Sequence, residues 1–211
     1  MNEKKPDLQT AYALKTPEDS VRLYREWAET YDQSFAERMD YVIPEVLARE
    51  FAAMAQAGDA PVLDVGAGTG LVGEALARLG DWPVEGLDIS AEMLEVAMAK
   101  GVYDAAHLGD LTGRLPLEDG RFGAVLSSGT FTHGHVGPDA LDELLRVARK
   151  GALFMLGVNG EFFVKSGFAA KLESLAPRID GLTKLIRRGY GDKAPPERRQ
   201  DRTTIVVFRK A

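Results

Sequence analysis

The sequence predicts a doubly wound α/β domain, because strands and helices alternate along most of the chain. Short apolar runs that fit buried strands are separated by amphipathic stretches with helical spacing. A glycine-rich turn joins the first strand, Val62–Val65, to a helix at residues 71–79. This order of strand, turn and helix brings the backbone close to a nucleotide-like ligand at the carboxyl end of a parallel sheet.

The other elements follow from the same periodicities. Further strands are predicted at residues 84–88, 103–108, 123–128, 152–158 and 203–208, and residues 182–188 fit either a strand or a helix. Residues 17–19 (P-E-D) suit the first turn of a helix that continues through residues 21–32. Further helices are predicted at residues 43–57, 90–100, 138–147 and 162–175. The chain therefore divides into a flexible tail at residues 1–17, an N-terminal helical part at 18–58 and the α/β domain at 59–211.

Composition narrows the classes of partner. The 211 residues carry a net charge of −6, which argues against a nucleic-acid backbone as the main partner. The absence of cysteine removes disulfides, thiolate metal sites and cysteine nucleophiles, and it fits a reducing compartment. No run reaches the roughly 20 apolar residues of a membrane span, and the first residues do not resemble a signal peptide. We expect a cytoplasmic protein, monomer or homodimer, without a membrane or nucleic-acid partner.

The glycine turn alone does not show which nucleotide-like ligand the chain binds. Residues 68–73 (G-T-G-L-V-G) match the pattern of dinucleotide-binding proteins, and Asp88 lies 20 residues beyond Gly68, as that pattern requires. A nicotinamide dinucleotide and a consequent oxidoreductase activity therefore remain one interpretation of these residues.

Three carboxylates favour a different ligand. Asp64 lies two residues before Gly66, where an anion would repel a pyrophosphate but attract an ammonium or sulfonium group. S-adenosylmethionine carries both cationic groups and no phosphate. Asp88 ends the second strand, where it could accept from both ribose hydroxyls, and Asp110 could accept from the adenine amine while Leu111 packs on the ring. Each carboxylate taken alone could instead be a helix cap or a loop residue.

At these residues the chain resembles the class I S-adenosylmethionine-dependent methyltransferases. Residues 63–70 (L-D-V-G-A-G-T-G) are similar to the first motif of that family, and residues 86–94 are similar to its second. Residues 24–32 (Y-R-E-W-A-E-T-Y-D), 62–76 and 141–147 resemble, more narrowly, the Williams–Beuren syndrome region methyltransferase-like group. The resemblance implies a Rossmann-like, seven-stranded sheet with an antiparallel last strand, and an N-terminal helical lid at residues 18–58.

The resemblance and the carboxylates together predict a set of cofactor-binding residues. The aromatic members at the N-terminus could equally form the packing face of an amphipathic helix. The predicted residues are Tyr24, Trp27, Tyr31, Asp64, Gly66, Ala67, Gly68, Thr69, Gly70, Asp88, Ile89, Met93, Asp110, Leu111 and Ser127.

The sequence says less about the residues that would contact the methyl acceptor. His133 in the T-H-G-H run after the fourth strand is the candidate general base, although it could be a loop histidine that contacts only solvent. The two histidines of this run have no third ligand nearby in the sequence, so no metal is predicted. Residues 127–131 read S-S-G-T-F where base-amino methyltransferases carry N-P-P-Y, which disfavours that acceptor.

The sequence therefore predicts a methyltransferase that transfers a methyl group from S-adenosylmethionine to a small-molecule acceptor by in-line displacement. Two alternatives remain at this point: a protein that binds S-adenosylmethionine without methyl transfer, and an NAD-dependent oxidoreductase.

Overall fold

A computed structural model describes residues 10–11, 13–14 and 16–211. Its seven-stranded sheet has the order β3-β2-β1-β4-β5-β7-β6. The strands are β1 (Val62–Val65), β2 (Val84–Asp88), β3 (Ala105–Leu108), β4 (Phe122–Phe131), β5 (Ala148–Asn159), β6 (Ile179–Arg188) and β7 (Arg202–Lys210). Strands β1 to β5 pair in parallel, whereas β7 is antiparallel to both β5 and β6. The predicted fold class, with its antiparallel last strand, is confirmed.

Helices connect the strands and cover both faces of the sheet. The α-helices are α1 (Pro17–Trp27), α2 (Ile43–Met54), α3 (Leu71–Ala77), α4 (Ala91–Ala99), α5 (Ala140–Val147), α6 (Gly160–Lys165) and α7 (Phe168–Ser174). A π-helix spans Asp32–Glu37, and two 3₁₀ turns span Ala176–Arg178 and Pro196–Arg198. Most of these connections are the crossovers that parallel strands require.

The hydrophobic core lies on both faces of the sheet. On one face, α2, α3 and α4 pack through buried side chains such as Phe51 and Leu76. On the other face, α5 and α7 pack through side chains such as Leu144 and Phe168. All four residues of β1 are buried, as expected for a central parallel strand covered on both sides.

The ends of α2, β4 and β5 lie a few residues from the predicted ones, and three other segments differ in extent or in type. The helix with its predicted first turn at residues 17–19 does begin at Pro17, but it ends at Trp27 rather than at Asp32, and the π-helix follows it. The predicted helix at 162–175 is two helices, because Gly167 adopts a left-handed φ of 82° between them. The ambiguous stretch at 182–188 belongs to β6.

Within the N-terminal helical part, α1 and the π-helix lie over the carboxyl edge of the sheet, whereas α2 packs on one face of the sheet and does not cover that edge. The buried residues Trp27, Phe35 and Ala36 of α1 and the π-helix form a separate cluster with Met93 of α4 and Tyr190 after β6. A β-bridge between Tyr41 and Tyr190 fixes the end of this part to the loop that precedes β7. Most of the predicted flexible tail lies outside the described residues, and the boundaries at residues 18 and 59 stay predictions.

Candidate active site

The glycine turn between β1 and α3 forms the floor of a cleft at the carboxyl edge. Gly66 and Gly68 have φ values of 67° and 54°, in the left-handed region that favours glycine. A Cβ on Gly66 would lie 1.8 Å from Thr130 Oγ1, so this glycine allows the turn to pack against β4. A Cβ on Gly68 would meet no atom within 4 Å, because this glycine opens on the cleft. The two glycines therefore serve packing and ligand access respectively.

Asp88 is the carboxylate that the fold places in the cleft. One of its oxygens accepts from the Gly68 amide at 2.8 Å, and the other accepts from the Ser90 amide at 2.9 Å. Burial raises the pKa of Asp88, and the amide hydrogen bonds oppose that rise. The Ile89 amide also lowers the pKa of Asp88, so three backbone amides act on a carboxylate that has about four acceptor positions. Asp88 can therefore hold the glycine turn and still accept from a ligand hydroxyl.

Asp64 lies beneath the turn and does not line the cleft. The Tyr103 hydroxyl donates to Asp64 Oδ2 at 2.6 Å, whereas the buried Oδ1 has no hydrogen-bond partner. Burial raises the pKa of Asp64 to about 7; the Tyr103 hydrogen bond opposes the rise and the charge of Asp88 adds to it. The predicted direct attraction between an ionised Asp64 and a cationic ligand therefore does not match this geometry.

The cleft has a volume of about 230 Å³ and a mostly apolar lining. Ile89 and Met93 line it after β2, and Leu111 and Val136 line it from the loops after β3 and β4. Asp110 also lines the cleft, and both of its oxygens accept hydrogen bonds from Thr112, one from its amide and one from its hydroxyl. A flat apolar ring fits this wall, with carboxylates at its border.

The predicted aromatic residues divide between this cleft and a smaller cavity beside it. Tyr24 and Tyr31 line both spaces. Trp27 lines only the smaller cavity, where it is 3% exposed and donates from its indole nitrogen to Ser34 Oγ at 2.8 Å. We call this smaller space, of about 70 Å³, the second cavity. The helix is thus both a packing surface and a wall of the site.

Four predicted residues lie behind the cleft rather than in its lining. Thr69 is buried and donates to Asp32 of the π-helix, and Ser127 donates to the Val65 carbonyl at 2.8 Å. Ala67 is 7% exposed, and Gly70 begins α3 against Tyr103. These residues support the turn and the strand ends from behind.

The histidine that lies where the cleft meets the second cavity is His135 rather than His133. His135 lines the cleft and the second cavity, whereas His133 lines neither and packs edge-on against Phe162 at 5.2 Å between ring centroids. The choice of His133 as base therefore gains no support from the geometry. Spacing could not separate the two histidines, because the turn at Gly134, with a φ of 78°, decides which ring faces inward.

Other lining residues were missed in the sequence. Ser128, Gly129 and Thr130 line the cleft at the end of β4, and Thr16 and Ser20 line it from the start of α1. The polar run at the end of an otherwise buried strand was a usable signal for the first three. Nothing in the helical periodicity of α1 indicated the other two.

The comparisons with known proteins agree with this site. Residues 63–156 match the methyltransferase domain family. The human (Homo sapiens) methyltransferase-like protein 27 is 35% identical over 153 residues, which cover 71% of this chain and 61% of that protein. A TehB-like SAM-dependent methyltransferase from Corynebacterium glutamicum superposes with a TM-score of 0.61 at 24% identity, covering 87% of this chain and 98% of that one, which shows a shared fold.

Residues 63–156 carry a methyltransferase domain, and the fold is that of S-adenosylmethionine-dependent methyltransferases.

The predicted methyltransferase domain and fold are thereby confirmed, and the narrower Williams–Beuren resemblance stays a prediction. The 18S rRNA (guanine-N(7))-methyltransferase of Bos taurus is 41% identical over 66 residues, 31% of this chain and 23% of that protein. The chain thus spans about three fifths of the human relative and less than a quarter of the bovine one. Family and fold imply S-adenosylmethionine as the cofactor and weigh against a nicotinamide dinucleotide.

The chemical groups that line the cleft are suited to S-adenosylmethionine. Asp88 would accept from ribose hydroxyl groups, the apolar wall would suit adenine, and the open Cα face of Gly68 would let a ligand approach the backbone. Asp64 Oδ1, which is buried and has no hydrogen-bond partner, lies beneath the glycine turn and does not line the cleft. Within the described ranges we find no cluster of three or more metal-ligating side chains and no helix suited to crossing a membrane.

Proposed function

We propose that this chain transfers the methyl group of S-adenosylmethionine to a small-molecule acceptor. The observation that carries the proposal is the arrangement of two adjoining spaces, a larger cleft over Gly68 and Asp88 and the smaller second cavity beside it. Tyr24, Tyr31, Gly129 and His135 line both spaces, so an acceptor in one would adjoin a cofactor in the other.

The chemistry requires positioning more than acid–base strength. The bound sulfonium supplies an activated methyl group, so the protein must align the acceptor with it and exclude water. Asp88 and the glycine turn would fix the cofactor, while Tyr24 and Tyr31 close the cleft from the N-terminal part. A proton acceptor is needed only when the attacking atom carries a proton that it must lose.

The acceptor class separates this proposal from a second candidate. The bovine relative is named as an rRNA methyltransferase, which brings RNA into consideration. The net charge of −6 and the small second cavity favour a small molecule, because an RNA footprint needs clustered Lys and Arg. A cytoplasmic location and a monomer or homodimer remain part of the proposal.

A labelling experiment tests the proposed activity. The chain would be incubated with methyl-labelled S-adenosylmethionine and either a low-molecular-weight metabolite fraction or purified ribosomal RNA. We expect label in the small-molecule fraction, and no label when Asp88→Ala replaces the wild-type protein. Label only in RNA would favour the second candidate. No label in either fraction, with the cofactor bound, would favour a binding protein without methyl transfer.

A further inference from the structure

Aromatic rings from two distant parts of the chain line the second cavity, beside the polar residues Asn159, Asp201, Arg202 and Thr203. Trp27, Tyr31 and Phe35 form one wall, and Tyr41 and Tyr190 form another. The rings of Trp27 and Tyr31 meet edge-on with centroids 5.1 Å apart, and the bridge between Tyr41 and Tyr190 fixes the second wall. Its 70 Å³ holds about five water molecules, which is the space of one small ring. Rings packed around a small space favour a planar, apolar occupant.

One polar group in this cavity lacks a partner. Thr132 is 6% exposed, it lines the second cavity, and its Oγ1 has no hydrogen-bond partner. A buried hydroxyl without a hydrogen-bond partner is destabilising, so its presence in this wall indicates a ligand group that completes the hydrogen bond. A hydroxyl on a bound ring would supply the missing partner.

A hydrogen-bonded pair lies where the cavity meets the cleft. The Tyr24 hydroxyl lies 2.6 Å from His135 Nε2, and His135 Nδ1 lies 2.9 Å from the His133 carbonyl oxygen. A carbonyl oxygen only accepts, so Nδ1 carries the proton and Nε2 accepts from Tyr24. A phenolic oxygen that donates still has lone pairs with which it can accept from a bound hydroxyl.

We propose that the second cavity holds the methyl acceptor as a small aromatic ring with a hydroxyl group, and that the Tyr24–His135 pair receives the hydroxyl proton. The proposal rests on the proposed function. The acceptor oxygen forms the new bond to the methyl carbon as the carbon–sulfur bond breaks, and the electron pair of that bond stays on sulfur. The hydroxyl proton passes to Tyr24 Oη while the Tyr24 proton passes to His135 Nε2. Tyr24 is thus the catalytic residue, and His135 acts through it.

The pair selects an aromatic hydroxyl over other acceptors. Burial lowers the pKa of His135, although its hydrogen bond to the His133 carbonyl opposes this, so the ring is a weak base. Phenols lose a proton near pH 10 and are within reach of such a base, whereas aliphatic alcohols are far less acidic. A cationic amine is disfavoured because the lining carboxylate, Asp201, is already paired with Arg198 at 3.1 Å.

Binding of the ring can be measured without turnover. The chain has two tryptophans, so in a Trp82→Phe background Trp27 fluorescence reports on the second cavity. With S-adenosylhomocysteine bound, phenol and catechol should quench this fluorescence saturably, and cyclohexanol should not. Thr132→Val should weaken catechol binding about fivefold, the loss of one hydrogen bond of about 1 kcal/mol. Absence of quenching while calorimetry shows bound S-adenosylhomocysteine would overturn the proposal and leave the proposed function intact.

Turnover then tests the proton path. We expect Tyr24→Phe and His135→Gln to lower kcat for catechol about 100-fold, the contribution of a positioned base, with KM within about threefold of wild type. His107→Gln, at the far edge of the sheet, is the matched control and should keep the wild-type kcat. Loss of turnover in His133→Gln but not in His135→Gln would overturn the assignment, as would equal methylation of catechol and cyclohexanol. Failure of S-adenosylhomocysteine to bind at all would instead overturn the proposed function.

Discussion

At the scale of single residues, the glycine turn and the two aspartates have separable roles. Gly66 packs against Thr130 and Gly68 opens on the cleft, whereas Asp64 is buried and accepts from Tyr103. We propose Asp88, which accepts from the Gly68 amide, as the acceptor for ligand hydroxyls. Their separation means that stability and cofactor binding should respond differently to substitutions only two residues apart.

The two glycines give the first test. Gly66→Ala forces a left-handed alanine and a clash with Thr130, so we expect a loss of about 3 kcal/mol in the free energy of unfolding. Gly68→Ala meets no neighbour and should cost about 1–2 kcal/mol, yet its methyl group would enter the cleft and weaken S-adenosylhomocysteine binding. Urea denaturation and calorimetry measure the two effects. Equal stability losses in both variants would contradict these roles.

Asp64 should make stability depend on pH. Burial raises its folded-state pKa to about 7 from an ordinary value of 3.8, so between about pH 4 and 7 the folded chain keeps a proton that the unfolded chain releases. Stability from this group is therefore lost as the pH rises through that window. We expect wild type to lose about 1 kcal/mol or more relative to Asp64→Asn between pH 5 and pH 8.

Urea denaturation at both pH values measures this difference, and Asp104→Asn, an exposed position before β3, is the control. The same pH dependence in Asp64→Asn and wild type would show that the buried carboxyl titrates normally.

At the scale of elements, an ion-pair network fastens the π-helix to the glycine turn. Lys100 at the end of α4 binds Asp32 at 2.6 Å and Glu74 of α3 at 2.7 Å, and Asp32 also accepts from Thr69. Lys100 is only 19% exposed, so this network is screened less than surface pairs. π-Helical turns are rare and frequently occur at functional sites.

Replacing Lys100, the cation shared by Asp32 and Glu74, should loosen the π-helix. Lys100→Met leaves two carboxylates facing each other, so we expect faster amide hydrogen exchange in residues 31–37. Binding of S-adenosylhomocysteine should weaken about fivefold, about 1 kcal/mol. Arg22→Met, which removes an exposed pair with Asp19 on α1, is the matched control and should change neither quantity. Unchanged exchange in Lys100→Met would show that the network does not hold the π-helix.

The sequence predicted the elements better than their ends. The strands β1, β2 and β5 were predicted from short apolar runs with glycines at their ends, because a buried parallel strand is a nearly continuous apolar run. The break at Gly167 and the π-helix were missed, since both depend on tertiary packing and neither changes the helical periodicity. In the site, Asp88 and Leu111 were predicted by their positions after strands. The inward turn of His135 was not predictable, because adjacent loop residues have no periodicity to separate them.

At the scale of the whole molecule, the fold brings three distant parts of the chain to one edge. The glycine turn and Asp88 come from the first half of the sheet, Tyr24 and Tyr31 from the N-terminal part, and His135 from the loop after β4. The cleft lies between β1 and β4, where the strand order reverses and open α/β sheets bind their ligands. Cofactor binding should therefore stabilise all three parts together.

A calorimetric titration tests the central claim, that this cleft binds S-adenosylmethionine. S-adenosylhomocysteine should bind wild type with a Kd in the micromolar range, and NADH should give no binding heat. Asp88→Ala should raise that Kd by at least about tenfold, or about 1.4 kcal/mol, whereas Asp104→Ala should leave it unchanged. Binding of NADH without S-adenosylhomocysteine, or undiminished binding by a folded Asp88→Ala variant, would contradict the site described for this chain.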